Sequence, residues 1–378
     1  MSAMAAIGRP VIRSSGRVLP AEWRSAPDAR TGREVWQLTA HGRSDTVYFE
    51  SQAFNADESH LVLRSWRSGD PELYKLRLSD GTLTQITLGA GDVGSSVTVD
   101  PSGQWVWWIS HDAVWRAHLE TLEIEQVYQK APDRAGVLMP FPVCFSRDAR
   151  RISLAIKHDG GADLLVLDTE TRQGSDVLRW PTGFSHPLIC PGDRDLITFV
   201  PDGAPCWNMD LPQAQRVRTW IADARTGKAR PFITPQLYRT VTHESWTHDG
   251  ERMFFFDKNW RVWTPVSICS VNREGTDWRV HFTSYEHQLG HGVCSPDGKH
   301  FLADCQKRHQ SPLILIDLTT GRDEILCWPD ASDDGGHPTS SHVHASWSRS
   351  GRHVVYTSDV TGLPQVYLLR DVVCPAQS

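Results

Sequence analysis

A short turn cassette recurs along the chain at nearly even intervals, and this constrains the fold more than any other feature. Each copy is an apolar strand, then a turn of the form S/D-x-D/S-G, then a second apolar strand. The clearest copies are Cys294-Ser295-Pro296-Asp297-Gly298 and Trp246-Thr247-His248-Asp249-Gly250. Close relatives are Val99-Asp100-Pro101-Ser102-Gly103 and Trp347-Ser348-Arg349-Ser350-Gly351, with weaker copies at Phe54, Phe145 and Cys190. The seven anchors Phe54, Val99, Phe145, Cys190, Trp246, Cys294 and Trp347 are spaced by 45, 46, 45, 56, 48 and 53 residues. A period of roughly 40–50 residues, with several short strands in each unit, is the signature of propeller blades.

The strands inside each unit fit that reading. The Gly turn closes a tight hairpin. Apolar strands such as Trp105-Val106-Trp107-Trp108 or Met253-Phe254-Phe255-Phe256 follow it. Third strands such as Leu313-Ile314-Leu315-Ile316-Asp317 come next, and then an outer strand. The last unit stops after its third strand, Gln365-Val366-Tyr367-Leu368-Leu369. Glu34-Val35-Trp36-Gln37-Leu38-Thr39 resembles the outer strands and can supply the missing one, closing the ring and protecting its edges. The expected fold is therefore all-β: a seven-bladed β-propeller formed by residues 31–372 as one domain. Residues 1–30 read as an N-terminal extension and 373–378 as a tail. An array of sandwiches would not space seven anchors so evenly.

Composition narrows the function. With 39% hydrophobic and 22% charged residues the chain is globular. A net charge of −6 without a basic run argues against binding nucleic acid. No run of about 20 apolar residues is present to span a membrane. The N-terminus lacks the apolar core of a signal peptide. The eight cysteines are scattered, without a CxxC pair. Reduced thiols in a cytoplasmic protein are the expectation.

Histidines fall in register. In a propeller the innermost strand of every blade lines the axis, so equivalent positions converge in space. Three residues before the anchor stand Ser51, Ser96, Pro142 and Pro187 in the first four blades, then His243, His291 and His344 in the last three. His342 lies two residues before His344 and so faces the same way. Crowded imidazoles are the usual making of a divalent metal site. His291, His342 and His344 are the candidate ligands, with His243 either a fourth ligand or a free base. His186, His287, His309 and His337 read as surface or loop residues. The chain has no GxSxG elbow, P-loop or GxGxxG. The 16 tryptophans include Trp105, Trp107, Trp108, Trp246 and Trp347 inside strands, where packing between blades is expected.

These motifs resemble the oligogalacturonate lyases, polysaccharide lyase family 22, over most of the chain from Thr31 to Leu369. His243-Glu244-Ser245-Trp246 with its DG turn is similar to that family's H-E-x-W strand. Arg216-Val217-Arg218-Thr219-Trp220 is similar to a strand whose Arg precedes Trp by two residues, which selects Arg218. The opening segment Tyr48-Phe49-Glu50-Ser51 looks like the family's first inner strand. The resemblance implies His243 as the Brønsted base, Arg218 as its assistant, and Mn2+ (or another divalent cation) on His291, His342 and His344. Where the family has a fourth ligand, Gln, this chain has Thr339. Water or the segment Asp333-Asp334-Gly335-Gly336-His337 are the candidate replacements.

The implied reaction is metal-assisted β-elimination on a short oligogalacturonide, a small anionic oligosaccharide. It leaves a 4,5-unsaturated uronate. Crowding beside a cation is expected to keep the His243 imidazole neutral. Arg64, Arg67 and Trp207 are weaker candidates for contacts with the substrate, and Trp66 for stacking on a sugar face. Two alternatives stand beside this reading. One is a non-catalytic, TolB-like propeller scaffold. The other is a metal-dependent lyase or isomerase acting on another uronate.

Overall fold

The computed structural model describes residues 11–203, 206, 208–259, 261–262, 264–305, 311–332 and 340–373. Seven antiparallel sheets of four or five strands follow one another along the chain, as the repeat predicts. Blade two shows the pattern. Its strands are Thr98–Val99, Trp105–Ser110, Ala113–His118 and Ile124–Gln129, running outward from the axis in sequence order. Blades three to six repeat this arrangement with inner strands Val137–Leu138, Phe184–Cys190, Arg239–Trp246 and Leu289–Cys294.

The turns need their glycines. Gly250 has φ of 70°, and a Cβ there would lie 2.1 Å from the Gly192 nitrogen of the preceding blade. Only glycine tolerates both the left-handed backbone and that approach. Neighbouring blades pack through apolar side chains. Trp347, Val354, Tyr356 and Tyr367 of blade seven meet Leu302, Leu313 and Leu315 of blade six in one cluster. Trp107, Trp108, Trp246 and Trp347 are all buried, so these tryptophans pack between sheets.

Closure follows the expected route. Glu34–Gln37 pairs with Gln365–Leu369 through Leu368 with Trp36 and Tyr367 with Gln37. The segment before it, set apart in the sequence as an extension, runs along the outer edges. Arg24–Pro27 adds a fifth strand to blade seven, and Val18–Leu19 adds one to blade one. Glu22 anchors this strap through a buried ion pair with Arg67, Oε1 to Nη1 at 2.6 Å.

Blade one departs from its relatives at the axis. Its inner strand is represented by Ser44–Asp45 and by a single bridge from Phe54 to Leu61. Between them the chain turns, and the Ser51 amide donates to the Tyr48 carbonyl at 2.8 Å. Tyr48, Phe49 and Glu50 therefore lie on a turn, where a continuous inner strand was expected.

Candidate metal centre and active site

The inner strands of blades four, five and six each carry a bulge at the axis. Pairing shifts between Ser185 and Leu188, between Thr242 and Ser245, and between Leu289 and Gly292. A bulge bends the strand and re-aims a side chain, and bulges gather beside active sites. His186, His243 and His344 have φ of 51°, 55° and 44°. Left-handed backbone at a residue other than glycine costs of order 1–3 kcal/mol and persists where the surroundings impose it.

This backbone brings the histidines together. The ring centroids of His243 and His291 are 4.2 Å apart, and those of His291 and His344 are 4.4 Å apart. His342 stacks on His344 at 5.2 Å and 10°, and meets His291 edge-on at 5.5 Å. One ligand nitrogen from each of His291, His342 and His344 lies within 4.8 Å of the others. Three imidazoles converging this closely can hold a divalent transition-metal ion.

Asp304 fixes one of the three. It is 2% exposed, on the strand His300–Cys305 beside His291. Its Oδ1 accepts from the His291 amide at 2.7 Å, and its Oδ2 accepts from His291 Nδ1 at 3.2 Å. Oδ2 also accepts from the His344 amide at 3.1 Å. With Nδ1 committed to a carboxylate, His291 presents Nε2 as its ligand atom, the arrangement that accompanies most histidine metal sites.

His243 packs against His291. Burial, then the charges of His291, Lys258 and Arg218, hold its imidazole well below the ordinary histidine value. It is neutral near pH 7 and able to accept a proton. Arg218 is the arginine that reaches this neighbourhood. Its Nε and Nη2 lie 3.0 and 3.4 Å from the two oxygens of Glu244, which also accepts from the Thr219 hydroxyl. Burial pushes the Glu244 carboxyl up, but Arg218 and these hydrogen bonds outweigh it, and the group stays ionised. Arg216, two residues earlier, is fully buried and turns its Nη1 to the Met209 sulfur.

The remaining sequence candidates divide. Arg64 is paired with Asp45 at 3.3 Å, donates to the Gly94 carbonyl, and lies close enough to depress the pKa of His344. Arg67 is committed to Glu22, Ser44 and Ser65 and covers the Tyr74 ring. Trp66 carries the guanidinium groups of Arg43 and Arg64 at 4.6 and 5.3 Å. Trp207, Thr339 and the segment 333–337 lie outside the described residues.

Besides Asp304, three groups at the axis were not assigned a role from the sequence. His186, expected to be a bland loop residue, points to the axis, and its Nε2 lies 3.2 Å from the Tyr48 hydroxyl. Burial drives its pKa down to about 4. Tyr48 itself stands edge-on to His344 at 4.8 Å. Phe49 packs on His291 at 5.3 Å and closes the floor of the site. Beneath it lies an axial cavity of about 310 Å³ that Glu50, Ser51, Trp246 and Trp347 help to line. Burial, with Glu244 nearby, pushes the Glu50 carboxyl well above its usual range.

No family model matches the chain. An oligogalacturonide lyase of Pectobacterium atrosepticum is 24% identical, covering 94% of this chain and 98% of its own. An oligogalacturonate lyase of Dickeya dadantii is also 24% identical, with the same coverage of both chains. The chain is similar to the oligogalacturonate lyases. Among solved structures, an oligogalacturonate lyase in complex with manganese superposes with a TM-score of 0.84 at 22% identity, covering 95% of this chain and 98% of the other. An oligogalacturonate lyase from Vibrio parahaemolyticus gives 0.83 at 20% identity, covering 96% and 99%. The likeness to the oligogalacturonate lyases thus runs through all seven blades, and the resemblance read from the sequence motifs holds.

Proposed function

We propose that this protein is a metal-assisted lyase that cleaves short oligogalacturonides, fragments of pectin, by β-elimination. The observation that carries this reading is the convergence of His291, His342 and His344 on one point, with neutral His243 packed against His291. Relatives that match 94% of the chain and are named for this activity support it.

The roles follow from the chemistry. His291, His342 and His344 hold the ion, and Asp304 orients His291. Bound there, a divalent cation such as Mn2+ supplies Lewis-acid polarisation of the uronate carboxylate, which makes the adjacent C5 proton more acidic. His243 takes that proton. The electron pair forms C4=C5 and the C4–O4 bond breaks. Arg218, held by Glu244, places fixed positive charge beside the developing negative charge. Arg64 adds a second cationic group near His344 for an anionic sugar. The seven described cysteines are free thiols, which supports a reducing, cytoplasmic location.

The test is direct. The purified protein is stripped with a chelator, reloaded with manganese, and given di- or trigalacturonate. The ultraviolet absorbance of the C4=C5 bond conjugated with the carboxylate should rise only after reloading. No rise with any divalent ion, over a range of uronates, would sink the lyase reading.

A further inference from the structure

Elimination at C4 expels a sugar alkoxide, which departs readily only if it is protonated as it leaves. His243 is occupied as the base, and three histidines are occupied as ligands. Arg218 is locked on Glu244, and a guanidinium does not release a proton near neutral pH. The leaving oxygen therefore needs another donor.

We propose that Tyr48 gives its phenolic proton to the departing glycosidic oxygen, O4, with His186 positioning the hydroxyl. This rests on the lyase reading above. The position of Tyr48 supports it. The Tyr48 ring centroid lies 4.8 Å from that of His344 and 6.3 Å from that of His291, and His291 in turn lies 4.2 Å from His243. The phenol thus touches the ligands His344 and His291, and the base touches His291. In a galacturonate ring the C5 proton and O4 are axial on opposite faces. A base and an acid that flank the carboxylate-holding group are what such a ring requires.

The second shell of hydrogen bonds fits the role. Ser185 Oγ lies 3.0 Å from His186 Nδ1, and His186 Nε2 lies 3.2 Å from Tyr48 Oη. When the serine hydroxyl donates to Nδ1, the imidazole carries its proton on Nε2 and donates to the phenolic oxygen. The Tyr48 O–H is then free to face the sugar, and the phenolate left after transfer keeps a hydrogen bond. Phe141 lies nearly parallel to His186 at 6.3 Å. The step balances. The C5–H electron pair becomes the C4=C5 bond, the C4–O4 pair goes to O4, and O4 takes the Tyr48 proton. Water reprotonates the phenolate and removes the proton from His243 as product leaves.

Tyr48→Phe deletes one oxygen and keeps the ring against His344 and Phe49. The manganese-loaded variant is compared with wild type on digalacturonate and on galacturonate bearing a nitrophenyl group at O4, whose phenolate leaves without protonation. On digalacturonate kcat should fall by about 10²–10⁴, the usual worth of general acid catalysis. On the aryl substrate it should fall less than about tenfold, while His243→Ala loses activity on both. Manganese content of Tyr48→Phe should match wild type. Equal losses on the two substrates, unchanged digalacturonate turnover, or loss of bound manganese would each overturn the role. If wild type makes no C4=C5 bond from either substrate, the lyase reading itself falls and takes this step with it.

Discussion

Asp304 grips His291 twice, taking its backbone amide at 2.7 Å and its ring Nδ1 at 3.2 Å. The same carboxylate accepts the His344 amide, so one buried group sets two candidate ligands. Asp304→Asn keeps the size but loses the charge and one acceptor. Manganese affinity should fall about 10- to 100-fold. Calorimetric titration of the stripped protein measures this, and activity should recover at high manganese. Wild-type affinity in the variant would remove Asp304 from the metal centre.

His243 is a neighbour of the candidate ligands, and its assignment as base separates it from them. His243→Ala should lower kcat by about 10²–10⁴. Metal content, measured by elemental analysis after dialysis, should stay at the wild-type level. A parallel fall in bound metal would make His243 a ligand.

Arg218 and Glu244 form a buried, two-pronged pair. Arg218→Ala leaves a buried carboxylate without its partner, a loss of about 3–5 kcal/mol. Arg218→Lys should restore much of that stability in urea unfolding while leaving kcat low, because an ammonium cannot reproduce the fork. Full activity in the lysine variant would show that charge alone suffices.

The sequence exposed the propeller because the Gly turn is a local device that each blade must repeat. It exposed His243, His291 and His344 because each stands three residues before its anchor, and in blades five and six the bulge falls at that same place. That counting failed at His186. Blade four shares the bulge, between Ser185 and Leu188, but has a second irregularity between Ile189 and Cys190, so His186 reaches the axis while the count selects Pro187. It failed again at Tyr48, where a turn interrupts the inner strand of blade one. Asp304 lies on a second strand, outside any such count. Its one trace is a lone carboxylate in the apolar run Phe301-Leu302-Ala303-Asp304-Cys305.

Arg67 illustrates a cation whose partner only the fold reveals. Its side chain and that of Glu22 are 8% and 7% exposed, and the pair ties the N-terminal strap to blade one. Arg67→Ala should cost about 3–5 kcal/mol of stability with KM unchanged, and Glu22→Ala should do the same. A raised KM in Arg67→Ala but not in Glu22→Ala would return Arg67 to the substrate site.

His281 gives blade five a dependence on pH. It lies on the strand Arg279–Ser284, stacks on Phe254 at 4.8 Å, and has Nε2 2.8 Å from Ser270 Oγ. Burial, then the charges of Arg252 and Arg279, lower its pKa from 6.5 to about 4. Between those values the unfolded chain binds the proton and the folded one does not, so stability rises with pH across the window. The contribution is complete above 6.5 and is lost as the pH falls toward 4. His281→Gln retains a hydrogen-bonding group for Ser270 but cannot titrate. Its melting temperature should therefore decline less steeply than that of wild type between pH 6.5 and 4. Scanning calorimetry of the two proteins over that range provides the check, and parallel curves would show that His281 does not carry the effect.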